Sequence, residues 1–268
     1  MKMIKRTIPV SLRRKLSSLH WRLIRSHYAW NTANPMIMNS KYAEDGILTN
    51  HIPAFLEDSK FIDSYSLGVS TGALNNHRGG ISWRAYLNVK FAEHCLSVTG
   101  DFVECGVGKG LYSITICDYL GFEESEKNFY LFDTFSGIPI QQLSDAEMNM
   151  AIKFNEKAYL GRYFEEVKNT FSKYKNVHLI EGQLPESLER VHFPRGIAYL
   201  QVDLNNANAE VETLRRLLKL CNKGAVVVLD DFAYGSEFET ARKMISDFTN
   251  SNNYKVIVLP TGQGVILL

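Results

Sequence analysis

A short apolar segment, "DFVEC" at residues 101–105, runs straight into Gly106, Gly108 and Gly110, and a second apolar run starts at Leu111. A strand, a glycine-rich loop and a helix in that order open the ligand-binding half of an α/β sheet. The rest of the chain has the same texture. Strand-like segments at 128–133, 177–182, 196–203 and 224–231 are separated by helical patterns at 161–174, 184–191 and 209–221, and a further helical pattern lies at 237–251. Alternation at this spacing predicts a Rossmann-like, doubly wound, mostly parallel sheet of the α/β class. The last two strands, in "YKVIVLP" and "GVILL", are joined only by "TGQG". Four residues cannot form a crossover helix, so this pair is a hairpin and the last strand is antiparallel.

These boundaries give one α/β domain over 98–268, preceded by an N-terminal helical arm or cap over 1–97. Within the cap, 82–98 has the apolar spacing of a helix packed on the α/β domain. With 45% hydrophobic residues, 22% charged and a formal charge of +1, the chain can bury a core and does not present itself as a nucleic-acid binder. Cys95, Cys105, Cys117 and Cys221 form no CxxC pair, which predicts reduced thiols and a cytoplasmic setting. No apolar run reaches the length of an integral membrane segment. The basic residues are concentrated at the start, from Lys2 to Arg25, with no acid before Glu44. Leu12, Leu16, Leu19 and Leu23 would share one side of a helix there. The plainer expectation is an arm packed on its own domain or on a second subunit, and the sharper one is contact with a membrane surface or a targeting role.

The glycine loop suits some ligands and not others. A triphosphate loop needs GxxxxGK[ST], but Lys109 is followed by Gly110, and Val103 stands where the first glycine belongs. A dinucleotide fingerprint needs GxGxxG, and the chain reads GxGxG. Glu104, two residues ahead of Gly106, would repel a pyrophosphate but would accept a hydrogen bond from the ammonium of an amino acid. Asp133, at the end of the second strand, is placed to take ribose hydroxyls. Gly182 and Gln183 come just after the third strand, where the adenine would lie. The set suits S-adenosyl-L-methionine (SAM), whose methionine carboxylate the helix N-terminus can receive.

Three more acids close the next two strands: Asp203 in "YLQVDLNN", and Asp230 and Asp231 in "VVVLDDF". Neighbouring strands run about 4.8 Å apart, so the carboxylates are expected to converge. A hard divalent cation such as Mg²⁺ would neutralise them, with Asn205 as a further oxygen donor. Capping and pairing with a basic side chain is the alternative.

The segments "GDFVECGVGKG", "YLFDTFSGIP", "VHLIEGQLPESL", "VDLNNANAE", "VVVLDDFAYG" and "LPTGQGVIL", with "DGILTNH" and "ISWRAYL" upstream, resemble the macrocin and mycinamicin O-methyltransferase family from about residue 43 onward. The resemblance implies a seven-stranded sheet, Mg²⁺ held by Asp203, Asp230 and Asp231, methylation of a hydroxyl on a sugar or glycosylated small molecule, and a homo-oligomer. The macrolide-modifying members read roughly "DTDWYES" where this chain has "DLNNANAE", and residues 134–175 contain no histidine. The general base is therefore sought among His51, His77 and whichever of Asp230 and Asp231 the metal does not fully engage, with Asp231 preferred, while Trp83 and Arg84 are expected to close over the cofactor. An NAD(P)-dependent reductase on a similar sheet, and the same chemistry on a catechol-like acceptor, are the competing readings.

Overall fold

A computed structural model describes residues 39–75, 79–140, 143, 145–157 and 161–268. The predicted basic helix near the N-terminus lies outside these residues, as does His77. The chain divides after Pro53 into two compact units. The second unit starts at Ala54, so the helical region at 54–97 belongs to the same unit as the sheet.

In the first unit, β1 (Tyr42–Glu44) and β2 (Ile47–Thr49) form an antiparallel hairpin. The two turn residues, Asp45 and Gly46, have φ of 48° and 76°. Two left-handed residues give the turn the twist of its strands. In the sequence this "EDG" reads only as a loop signal, because strands of three residues carry almost no alternation.

The second unit opens with α1 (Ser59–Ser70) and α2 (Ser82–Cys95). The sheet then alternates with helices: β3 (Asp101–Cys105), α3 (Leu111–Leu120), β4 (Phe129–Asp133), α4 (Asp145–Lys157), α5 (Phe164–Thr170) and β5 (Val177–Glu181). β6 (Ile197–Val202), α6 (Ala207–Leu217), β7 (Cys221–Leu229), α7 (Glu239–Ser251), β8 (Ile257–Val258) and β9 (Gly264–Leu267) complete it. The strand order is β5-β4-β3-β6-β7-β9-β8. Strands β3 to β7 are mutually parallel, while β9 runs antiparallel to both β7 and β8. The seven-stranded, mostly parallel sheet with an antiparallel closing hairpin is as the sequence predicts.

β3 and β6 are buried at every position, as central strands covered on both faces must be. One face packs Val103, Leu200, Val227 and Ile266 against Leu214 and Leu217 of α6 and Ile245 of α7. On the sheet between the helices lies a ring cluster of Phe102, Phe122, Phe129 and Tyr199, with centroids 5.3–5.7 Å apart. α3 is apolar on nearly all sides and almost wholly buried, as a helix enclosed by packing requires. α1 lies close against it at Gly68, where a Cβ would collide with Thr115 Oγ1 and the Leu111 carbonyl. Cys95, Cys105 and Cys117 are buried, and all four cysteines are free. No helix among the described residues is long and apolar enough to cross a membrane.

Candidate functional site

β3, β4, β6 and β7 all end at one edge of the sheet, and a cavity of about 400 Å³ opens there. This is the crevice in which open α/β sheets bind ligands, and its volume lies in the usual range for small-molecule sites. Gly106, Gly108, Asp133, Gly182, Gln183, Asp203, Asp230, Asp231 and Arg84 all line it, so most of the residues expected from the sequence do meet.

The loop between β3 and α3 owes its shape to close approaches. Gly106 has φ of 90°, and a Cβ there would run into the Asp203 carbonyl at the end of β6. Only glycine lets these two strand ends come so near. Gly110, at φ 83°, caps α3 with its back to Phe171 and does not line the cavity.

Asp133 has a task the sequence did not suggest. Its Oδ2 accepts the backbone N–H groups of Val107 and Gly108 at 2.7 and 2.8 Å, while Oδ1 accepts that of Phe135 at 2.6 Å and the Tyr163 hydroxyl at 3.4 Å. The carboxylate therefore holds the glycine loop in place from β4. Burial raises its pKa and these donors pull it back.

Glu104 is 1% exposed, and its Oε2 has no hydrogen-bond partner. Burial pushes its pKa up to about 8, against a lowering hydrogen bond from Ser113 and helped by repulsion from Asp230 and Asp133. A buried carboxyl oxygen without a donor is costly unless a ligand supplies one.

The acid edge is tied together by Arg84 of α2. Its Nη1 donates to Asp230 Oδ2 at 2.8 Å, to Asp231 Oδ1 at 3.2 Å and to the Asp230 carbonyl at 3.1 Å, while Nη2 donates to the Thr261 carbonyl at 2.9 Å. The Tyr112 hydroxyl and Gln263 Nε2 also donate to Asp230, at 3.2 and 2.9 Å. From Gln263 the hydrogen bonds continue to Asn88, Gln201 and Tyr199 beneath α2. Asp203 accepts from Asn205 Nδ2 at 3.2 Å, and Asn205 itself sits at φ 55°. Burial raises the Asp203 pKa well above the usual carboxylate range, and repulsion from Asp230 and Asp231 raises it further. Glu210 of α6 is likewise pushed up to about 8 by burial and by Asp231. One guanidinium thus serves an edge with more carboxyls than it can neutralise.

Among the described residues no three His, Cys, Asp or Glu side chains form a ready-made metal-holding group. Both oxygens of Asp230 already accept from Arg84, Tyr112 and Gln263. Asp231 shares Arg84 with Asp230, and Asp203 accepts from Asn205; carboxylate oxygens are the ligand type a hard cation takes.

Trp83 lies in an aromatic group with Phe55 and Tyr86, at ring distances of 5.0 and 5.7 Å, and does not line the cavity. Its neighbour Arg84 points into the site. His51 belongs to the first unit, where it is exposed and its backbone N–H bonds Thr49 Oγ1. Sequence reasoning missed Tyr112, Tyr163, Gln263 and the aromatic residues Phe154 and Tyr234 of the cavity wall. Gln263 alone left a trace, as a polar side chain in a turn between two apolar strands.

The fold is similar to that of the O-methyltransferase NovP, at 20% identity and a TM-score of 0.60, over 69% of this chain and 78% of that one. It is also similar to the calicheamicin methyltransferase CalS11, at 18% identity and a TM-score of 0.52, over 81% and 93% of the two chains. The SAH-bound methyltransferase PaMTH1 of Podospora anserina shares 12% identity at a TM-score of 0.51, over 81% and 88%. No curated protein matches the sequence. The family model for macrocin-O-methyltransferase (TylF) matches residues 91–259. That span runs from α2 through all the strand-end acids, and the chain belongs to this family of SAM-dependent O-methyltransferases.

Proposed function

We propose that the chain methylates a hydroxyl of a sugar or glycosylated small molecule. The observation that carries this reading is Glu104. Its buried Oε2 is unpartnered and stands two residues before a glycine loop that lines the cavity with Asp203 and Asp231, although Glu104 itself is not among the lining residues. The cofactor's ammonium would supply the donor that Glu104 lacks, and the loop amides and the start of α3 would receive the carboxylate. Gly182 and Gln183 border the nucleoside end, and Asp133, besides fixing the loop, lines the cavity where a ribose would sit.

In the transfer, the acceptor oxygen bonds to the methyl carbon as the carbon–sulfur bond breaks, and its electron pair stays on sulfur to leave S-adenosylhomocysteine (SAH). The hydroxyl proton goes to Asp231, which lines the cavity beside Arg84. The rate gain comes from holding the two reacting atoms about 3 Å apart in line, with water excluded. Asp203 and Asp231 would hold a divalent cation such as Mg²⁺, while Asp230 stays bound to Arg84, Tyr112 and Gln263. A bound cation would lower the pKa of the hydroxyl and fix its direction.

Two measurements test the reading. Calorimetry should show SAH binding and no NADH binding; the reverse result sinks it. Asp203→Asn should slow methyl transfer by about 100-fold or more and should also abolish the rise in melting temperature that Mg²⁺ gives the native chain. A native melting temperature that ignores Mg²⁺ removes the cation from the proposal.

A further inference from the structure

One row of the sheet holds two polar side chains among apolar ones. In register across the strands it reads Leu179, Leu131, Glu104, Gln201, Val228 and Val265. Register partners share a face of the sheet. The pair two residues earlier on that face, Phe102 and Tyr199, are in ring contact at 5.4 Å. Glu104 is 1% exposed and Gln201 is 0% exposed. Their outer neighbours in the row, Leu131 and Val228, have no side-chain hydrogen bond to offer.

The Gln201 amide is oriented by the bonds it already makes. Its Oε1 accepts from the Tyr199 hydroxyl at 2.9 Å and from Asn88 Nδ2 at 3.2 Å, and Asn88 is fixed in turn by Gln263. Two donors on one atom leave the amide nitrogen as the other end, with two hydrogens to give. Among the described residues, Gln201 Nε2 has no acceptor and Glu104 Oε2 has no donor. A buried donor and a buried acceptor, each costly when alone, thus stand on adjacent strands whose backbones run about 4.8 Å apart. The charges agree with this closeness. Burial raises the Tyr199 hydroxyl pKa well above its ordinary value, and Glu104 leads the charges that raise it further.

We propose that Gln201 is a positioning residue for the cofactor: its Nε2 donates to the Glu104 carboxylate, directly or through one enclosed water, and so aims the remaining lone pairs of that carboxylate at the ammonium of SAM. The assignment rests on the cofactor reading above, in which Glu104 takes that ammonium. Gln201 does not line the cavity, so it acts through Glu104 and not on the ligand. A carboxylate has about four lone-pair sites, so an amide and an ammonium can share it. A carboxamide suits the place because it is neutral. A lysine or arginine there would pair with Glu104 and compete with the ammonium, and a second acid would repel it.

The test compares SAH with 5′-methylthioadenosine, which has the nucleoside and the sulfur but no ammonium, by calorimetry on the full chain. Gln201→Met keeps the length of the side chain and removes the donor. It should weaken SAH by about tenfold and leave 5′-methylthioadenosine within about twofold. In a Glu104→Gln background it should cost no further SAH affinity, because both residues act through one contact. The native chain gives a reading that needs no variant. By NMR on isotope-labelled protein, the Gln201 side-chain amide protons should shift on adding SAH and stay in place on adding 5′-methylthioadenosine. If Gln201→Met does not fold, that signal decides alone. Equal weakening of both ligands by Gln201→Met would reduce Gln201 to a structural residue. That result, an unchanged SAH affinity, a full further loss on top of Glu104→Gln, or amide protons that ignore SAH each overturns the proposal while the cofactor reading stands. Failure of the native chain to bind SAH overturns both.

Discussion

Glu104 shows how much a single residue settles here. Its carboxyl has an ordinary pKa of 4.5 and is pushed up to about 8 by burial. Between these values the native chain keeps a proton that the unfolded chain has released, so native stability falls as pH rises through that window. Glu104→Gln removes the dependence, and its melting temperature should change less than the native chain's between about pH 5 and pH 8. A bound ammonium needs the ionised carboxylate. SAH affinity should therefore rise with pH up to about 8 in the native chain, with a proton released on binding below that pH. Glu104→Gln should bind SAH about 10- to 100-fold more weakly, the worth of a charged hydrogen bond. Calorimetry in two buffers of different ionisation heat reads the proton, and its absence would mean that the ammonium has another partner. Glu104 was legible because a strand and a glycine loop point to it from both sides. The partners of Asp230 were not. Tyr112 and Arg84 lie 118 and 146 residues away in the chain, and only the folded topology brings them together.

Among the elements, α2 matters beyond its packing. Through Arg84 it ties the ends of β7 to the turn before β9. Arg84→Met would leave two carboxylates in the wall without their guanidinium, at a cost of about 3–5 kcal/mol for a broken buried pair. Urea unfolding should show that loss, and Arg84→Lys should recover part of it, because an ammonium keeps the charge but not the fork. A stability within about 0.5 kcal/mol of native for Arg84→Met would show that the tie is dispensable. Elements differed in how plainly they could be read. The strands stood out as apolar runs bounded by loops and acids. α4 did not, because "DAEMNMAIKFNEK" has no strong apolar stripe. It is placed by side-chain ties instead, from Asn155 to the Ile138 backbone and from Glu147 to the Ala207 N–H. α5 is shorter than the pattern over 161–174 suggests, since Gly161 at φ 71° precedes its start and the helix ends at Thr170.

At the scale of the molecule, the cavity joins the ends of five strands, β3 to β7, with the loops after them, so an occupant contacts segments far apart in sequence. Ligand binding and folding are then linked. SAH at about 100 times its Kd should add about 2.7 kcal/mol of stability. For a chain of this size that corresponds to a rise in melting temperature of about 5–10 °C, readable by differential scanning fluorimetry. No rise under those conditions would show that SAH does not bind the folded chain in preference to the unfolded one.

The order of synthesis has a consequence for this fold. β9 lies between β7 and β8, and the residues that brace Arg84 and Asp230 from that side, Thr261 and Gln263, come just before it in the chain. On a translating ribosome the glycine loop and the strand-end aspartates Asp133, Asp203, Asp230 and Asp231 emerge before Thr261 and Gln263, the supports of Arg84 and Asp230. A nascent chain stalled before residue 261 would carry every acid of the site yet lack its finished wall. Competence would arrive late and abruptly, with the β8–β9 hairpin acting as a clasp on acids already in place.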